Sequence, residues 1–175
     1  MISNATPLVF FGSVARLDVL FSVYPKIEIC KTVFNEVVVN GKEAKMPDAF
    51  LIEEAVKADH IKVLNLSISS KRKAAFFLQT FFRIHSGEAE TIALTLQLKR
   101  KEILLDEKIA RKNAKILGLK PIGSLKVLLL AFKKKKISEK ELREIVKEIT
   151  SSKFFVSSQI MEEFWILFEK MKNKK

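Results

Sequence analysis

Cysteine is almost absent from this 175-residue chain: Cys30 stands alone, which excludes an internal disulfide and any thiolate zinc cluster. Following Ile27-Glu28-Ile29, a lone thiol has packing as its simplest use. Histidine is nearly as scarce, at His60 and His85, too few for a His-rich centre. Any metal must therefore be held by oxygen. Long apolar runs are missing too. Nothing approaches the roughly 18 to 20 residues that span a bilayer, and residues 127–132 have the length of a buried helix segment. No Lys or Arg stands in the first four positions, and Gly12, Arg16 and Asp18 interrupt the early hydrophobic stretch, so neither a secretory signal nor a membrane partner is expected. The expected location is the cytoplasm. Internal repeats and low-complexity linkers are absent as well.

What is present is apolar material and positive charge. A hydrophobic share of 48% in 175 residues suffices for one sizeable core. The 32 Lys and Arg against 20 Asp and Glu leave a net charge of +12, which attracts polyanions such as nucleic acid. The basic runs Lys71-Arg72-Lys73, Lys99-Arg100-Lys101 and Lys133 to Lys136 fit such contacts, and each fits an ordinary solvated surface equally well.

Short β-like runs alternate with helical patterns, the mark of βαβ units and a mostly parallel sheet covered on both faces. Strands are expected at about residues 1–3, 26–29, 61–64, 102–105 and 120–122. Helices are expected at 7–21, broken near Gly12, and at 32–39, 48–58, 71–84, 87–99, 107–117 and 124–134. Pro47-Asp48 supplies a turn and cap, Gly118 a stop, and Ser124 a cap for the helix it opens. Two further amphipathic helices, 138–150 and about 157–171, suggest residues 136–175 as a helical extension packing on a first domain, 1–135. Their apolar faces serve either as a flap over that core or as a partner surface.

In an open α/β sheet, ligands bind beyond the carboxyl ends of the strands. Asn4 and Asp106 each follow an expected strand. Asp106 also suits an N-cap of the helix at Glu107, and Asn4 an Asx-turn into Thr6-Pro7. Glu88 shares a stripe with Ile92 and Leu96, on the face that should turn inward, where the helix macrodipole is the simplest support for a charge. Glu90 lies off that stripe, as a rim charge. Glu36 flanks the apolar Val33, Phe34 and Val37, and alone would read as surface. Several acids at one strand edge repel one another unless a cation offsets them, and hard cations favour such oxygen shells.

These residues resemble the PIN domains, in particular the branch opening with Ser-Asn-x-Thr/Ser-Pro-Leu, matched by Ser3-Asn4-Ala5-Thr6-Pro7-Leu8. Val33 to Val37 resembles the V-x-x-E-V segment, and Gly87-Glu88-Ala89-Glu90-Thr91-Ile92-Ala93-Leu94 the G-E-A-E-A-I-A-L helix start. Leu104-Leu105-Asp106-Glu107 with Ala110-Arg111 resembles L-[IL]-D-[DE]-x-x-A-R, and with 118–125 the similarity covers about residues 1–130. The resemblance implies a three-layer α/β/α sandwich whose acids bind Mg²⁺ or Mn²⁺ and hydrolyse RNA, often as the toxin half of a toxin–antitoxin pair. It implies Asn4, Glu36, Glu88 and Asp106 as catalytic metal ligands, an antitoxin protein as a partner, and a homodimer. Arg111, about one and a half turns after Asp106, with Lys108 and Lys112 beside it, would meet the phosphate backbone. The departure is Asn4, where most PIN nucleases carry aspartate. An amide oxygen can coordinate metal but brings no charge. That residue opens a second expectation, a PIN-like nucleic-acid-binding or regulatory module with little or no catalysis.

Overall fold

A computed structural model describes residues 1–152, 154 and 156–173. Five short strands, β1 (Ile2–Ser3), β2 (Ile27–Cys30), β3 (Ile61–Leu64), β4 (Glu102–Leu104) and β5 (Lys120–Ile122), form one sheet in the order β3-β2-β1-β4-β5. Every pairing is parallel. The strands are apolar on both sides, as a sheet covered by helices requires: Ile2, Ile27, Ile29, Ile103 and Leu104 are all fully buried. The chain first steps outward from β1 through β2 to β3, then crosses back to build β4 and β5 on β1's other side. With right-handed crossovers, that reversal puts helices on both faces and opens a crevice beyond the carboxyl ends of β1 and β4.

Helices α1 (Ala5–Gly12) and α2 (Leu17–Val23) follow β1. After β2 come α3 (Lys31–Phe34), a π-helical segment (Asn35–Asn40), α4 (Gly41–Glu43) and α5 (Pro47–Lys57). Helices α6 (Ile68–Thr80) and α7 (Ser86–Gln97) precede β4, α8 (Lys108–Ile116) precedes β5, and α9 (Ser124–Lys133), α10 (Glu139–Ser151) and α11 (Ser158–Lys172) complete the chain. Helix α7 packs along β1, β2 and β4 with α6 and α8 beside it, while α1 meets α5 and α9. None of the described helices is long and apolar enough to cross a membrane.

Three local differences from the sequence reading have physical causes. Helix α6 starts at Ile68, before the expected residue 71, because the Ser67 hydroxyl caps it by accepting from the Ser70 N–H at 3.2 Å. It ends at Thr80, short of the expected residue 84, since Phe81 turns extended and Arg83 takes a φ of 52°. The helix expected at 32–39 widens into a π turn, a feature that often accompanies functional sites.

The last two helices pack part of their apolar surface on the rest of the molecule, while Ile160, Ile166 and Leu167 of α11 stay exposed. Leu142, Ile145 and Ile149 of α10 and Phe168 of α11 are fully buried, and the Phe168 ring lies 4.9 Å from Phe132 of α9. Arg143 fastens the pair, its guanidinium over Trp165 at 5.0 Å and ion-paired to Glu139 at 2.9 Å.

Candidate functional site

Asn4 leaves β1 with its backbone N–H donating to the Leu104 carbonyl at 3.1 Å, which fixes it between β1 and β4 at the point where the strand order reverses. It precedes α1, yet its side chain makes no capping bond, so neither a cap nor an Asx-turn accounts for it. The side chain is 4% exposed, and its Oδ1 lies 3.5 Å from the Thr91 hydroxyl. That hydroxyl has one proton, which goes to the Gly87 carbonyl at 2.6 Å. The amide oxygen is thus buried with only a marginal donor.

Gly87, on the first turn of α7, is where the pieces meet. A Cβ at this position would lie 3.2 Å from Glu36 Oε2 and 3.5 Å from Asn4 Oδ1. Glu36 arrives from the π segment, which carries it in its first turn. The residue as a whole is exposed, yet its carboxylate end rests against Gly87, and the burial of that end raises its pKa, with His85 pulling the other way. Glu88 is 5% exposed and accepts from the His85 N–H through Oε2 at 2.9 Å, so it closes the start of α7. Burial is the main reason its pKa rises; the His85 contacts oppose the rise, and the charges of Glu107 and Glu36 add to it. The macrodipole reading of Glu88 is correct as far as it goes, but the other acids beside it go beyond capping.

Asp106 does not cap α8, whose N-cap is Glu107. Both its oxygens go to Ser124 instead, Oδ1 accepting from the backbone N–H at 2.7 Å and Oδ2 from the hydroxyl at 2.5 Å. Ser124 opens α9 without capping it through its own side chain, because Gly123 holds the cap position. Burial pushes the Asp106 pKa up and Glu107 adds to it, against the Ser124 bonds and the Arg111 charge. Arg111 lies against Gly123, where a Cβ would come within 2.5 Å of Nη1 and 3.1 Å of Asp106 Oδ1. Only glycine leaves room for that arrangement.

Glu107 joins the two groups. It accepts from the Thr6 hydroxyl at 3.3 Å and acts electrostatically on both Glu88 and Asp106. Thr6, Asp106, Glu107, Arg111 and Gly123 line a cavity of about 230 Å³. A neighbouring groove of about 560 Å³ runs from Asp106 past Lys108, Arg111, Lys112 and Lys115, with Ile160 and Glu163 of α11 on its far wall. Glu90 stands apart, half-buried and accepting from Thr32 at 2.7 Å. Cys30 is buried against Thr91, and burial raises its thiol pKa, so it is a packed side chain.

The structure therefore brings Asn4 and Glu36 together at Gly87, places the Glu88 carboxylate on the His85 N–H at the start of the same helix, and anchors Asp106 to the start of α9. Among the described residues, no three His, Cys, Asp or Glu side chains converge closely enough to hold an ion by themselves. A set of hard oxygen donors here includes the Asn4 amide. The sequence reading gave Thr91 no role and took Ser124 only as a helix cap, not as the partner of Asp106. Thr91 had a signal, since it stands where the matched motif has alanine; Ser124 lies 18 residues from the acid it holds and had none.

A family model described as a PIN domain matches residues 1–170. The chain belongs to the PIN domain family. Its all-parallel five-stranded sheet flanked by helices is consistent with the nuclease-type α/β/α fold of that family. No curated protein and no solved structure matches this PIN domain.

Proposed function

We propose that this PIN domain is a divalent-metal-dependent endoribonuclease that hydrolyses RNA phosphodiester bonds. One observation carries the reading: in a chain of net charge +12, Glu36, Glu88, Asp106 and Glu107 all lie in segments that follow the strands or open α7, and none of them has an ion-pair partner among the described residues. Burial raises the pKa of Glu36, Glu88 and Asp106, and the Glu107 charge adds to the rise at Glu88 and Asp106, so a cation from outside would relieve the site. The donors are carboxylate and amide oxygens, which suits Mg²⁺ or Mn²⁺. Glu36, Glu88, Asp106 and the Asn4 amide oxygen would hold it. When bound, such an ion lowers the pKa of a coordinated water and offsets charge on the phosphoryl oxygens.

The chain's own residues supply the rest. Lys108, Arg111 and Lys112 present cations along the groove beside Asp106, at positions to track a phosphate backbone. Arg111, packed on Gly123, also keeps positive charge near Asp106 when no substrate is present. Ser124 holds Asp106 in one orientation through two hydrogen bonds, and Glu88 is held by the start of its own helix. Glu107, exposed at the cavity mouth, can take the proton released from an attacking water.

The test is cleavage of RNA by purified protein with Mn²⁺, with chelator, and in Glu36→Gln. Cleavage should require Mn²⁺. The substitution should cost at least the roughly 10- to 100-fold typical of losing an outer-shell partner, with no loss of thermal stability. No cleavage by the wild type, or full cleavage under chelator, refutes the reading. A second reading, a PIN module that binds nucleic acid with little catalysis, is favoured by the buried Asn4 amide, and Asn4→Asp separates the two.

A further inference from the structure

The proposed site leaves α6 and the turn after it without a role, and their composition is unusual. From residue 66 to residue 87 there is no Asp or Glu, while Lys71, Arg72, Lys73 and Arg83 all occur there. All four are exposed, and none forms an ion pair among the described residues. Four phenylalanines accompany them. Phe77 is buried and stacks with the half-buried Phe81 at 5.4 Å, anchoring the helix end. Phe76 and Phe82 point the other way, 60% and 77% exposed.

Helical spacing puts Ile68, Arg72 and Phe76 on one outward stripe, opposite the buried Ser70, Ala74 and Phe77. Phe82 stands in the turn between α6 and α7 with the Arg83 guanidinium 5.0 Å from its ring centre. Arg83 is held in the left-handed region at φ 52°, so the turn is specified and not merely a slack connection. Two residues later comes His85, then Gly87 and Glu88 of the site.

An exposed apolar ring is costly in water unless something covers it. A second copy of this chain is a poor cover: an isologous contact would set Lys71, Arg72 and Lys73 against their own copies. A chain of phosphates with unpaired bases meets both halves of the surface, cations for the backbone and rings for the bases.

We propose that the outward face of α6 and its following turn bind single-stranded RNA, with Phe82 and Phe76 as stacking platforms that lead the strand toward Gly87 and Glu88. The choice of RNA as ligand rests on the nuclease reading, but the contact requires no catalysis. The test measures binding of a fluorescent single-stranded RNA of about 12 nucleotides in chelator, where nothing is cut. Phe82→Ala should weaken binding on the order of tenfold, Phe76→Ala similarly, and Phe82→Trp should restore it. The melting temperature should not move, since both rings are exposed. A duplex of equal length should bind less tightly. Unchanged affinity in both alanine variants, equal competition by polyglutamate of matched charge, or a wild type that binds no RNA would each overturn the proposal. So would a dimer that Phe82→Ala converts to monomer at unchanged RNA affinity. Cleavage is read separately with Mn²⁺. A protein that binds through Phe82 but cuts nothing refutes the nuclease reading alone, and one that cuts but ignores Phe82 refutes this inference alone.

Discussion

Asn4 puts an amide where the metal-binding pattern of PIN nucleases has an acid, and the surrounding acids make the exchange consequential in both directions. Converting it to aspartate adds a charge to a group already short of counter-ions. In chelator, Asn4→Asp should therefore lower the melting temperature. With Mn²⁺ it should tighten metal binding and raise RNA cleavage by about tenfold or more. Calorimetric Mn²⁺ titration and initial rates check both, and unchanged metal affinity would show that position 4 does not touch the ion. Glu88 gives a pH prediction. Its folded pKa lies above its unfolded one, mainly through burial, so the ionised form destabilises the metal-free fold. That penalty is fully present above the folded pKa and fades as pH falls toward the ordinary carboxylate range. Glu88→Gln, which keeps an acceptor for the His85 N–H, should raise the melting temperature in chelator at pH 7. The gain should shrink on acidification and reverse when Mn²⁺ is present; a gain independent of pH would contradict the burial argument.

Among the elements, the start of α7 is where the proposed function and helix stability can be separated. Gly87 has no side chain, and a methyl group there would press on Glu36 Oε2 and touch Asn4 Oδ1. Alanine is the better helix former by about 1 kcal/mol, so Gly87→Ala should leave stability within about that margin while cleavage and Mn²⁺ affinity fall. Parallel loss of both stability and activity would mean that the glycine is only a packing device. The strands and most helices were readable because alternation and helical periodicity reflect burial directly, as in Ile27 and Ile29 or Ile92 beneath Glu88. Asp106 was readable as a strand-end acid but not as the anchor of α9, because its partner is remote in sequence. The π turn carrying Glu36 was hidden as well. Val37 and Val38, both buried, satisfy an α-helical pattern, so nothing in their spacing announces the wider turn.

At the scale of the whole molecule, the question is whether the last two helices fold with the sheet. Phe132 and Phe168 share one core, and Trp165, the sole tryptophan, sits in α11. Its fluorescence and the far-UV circular dichroism of the whole chain should therefore lose their signals at the same denaturant concentration. Phe168→Ala should cost about 3 to 5 kcal/mol and shift both curves together. Separate transitions would make residues 136–173 an independent unit. The strand order has a further consequence in time. β1 lies at the centre of the sheet, yet one of its neighbours, β4, is synthesised about a hundred residues after it, and the acids that surround it come from both halves of the chain. While a ribosome is still making the protein, β1 to β3 can pair, but Asp106 and the Ser124 that holds it have not yet arrived. An unfinished chain thus carries no assembled centre, and the activity proposed for the site would begin only once the late strands dock.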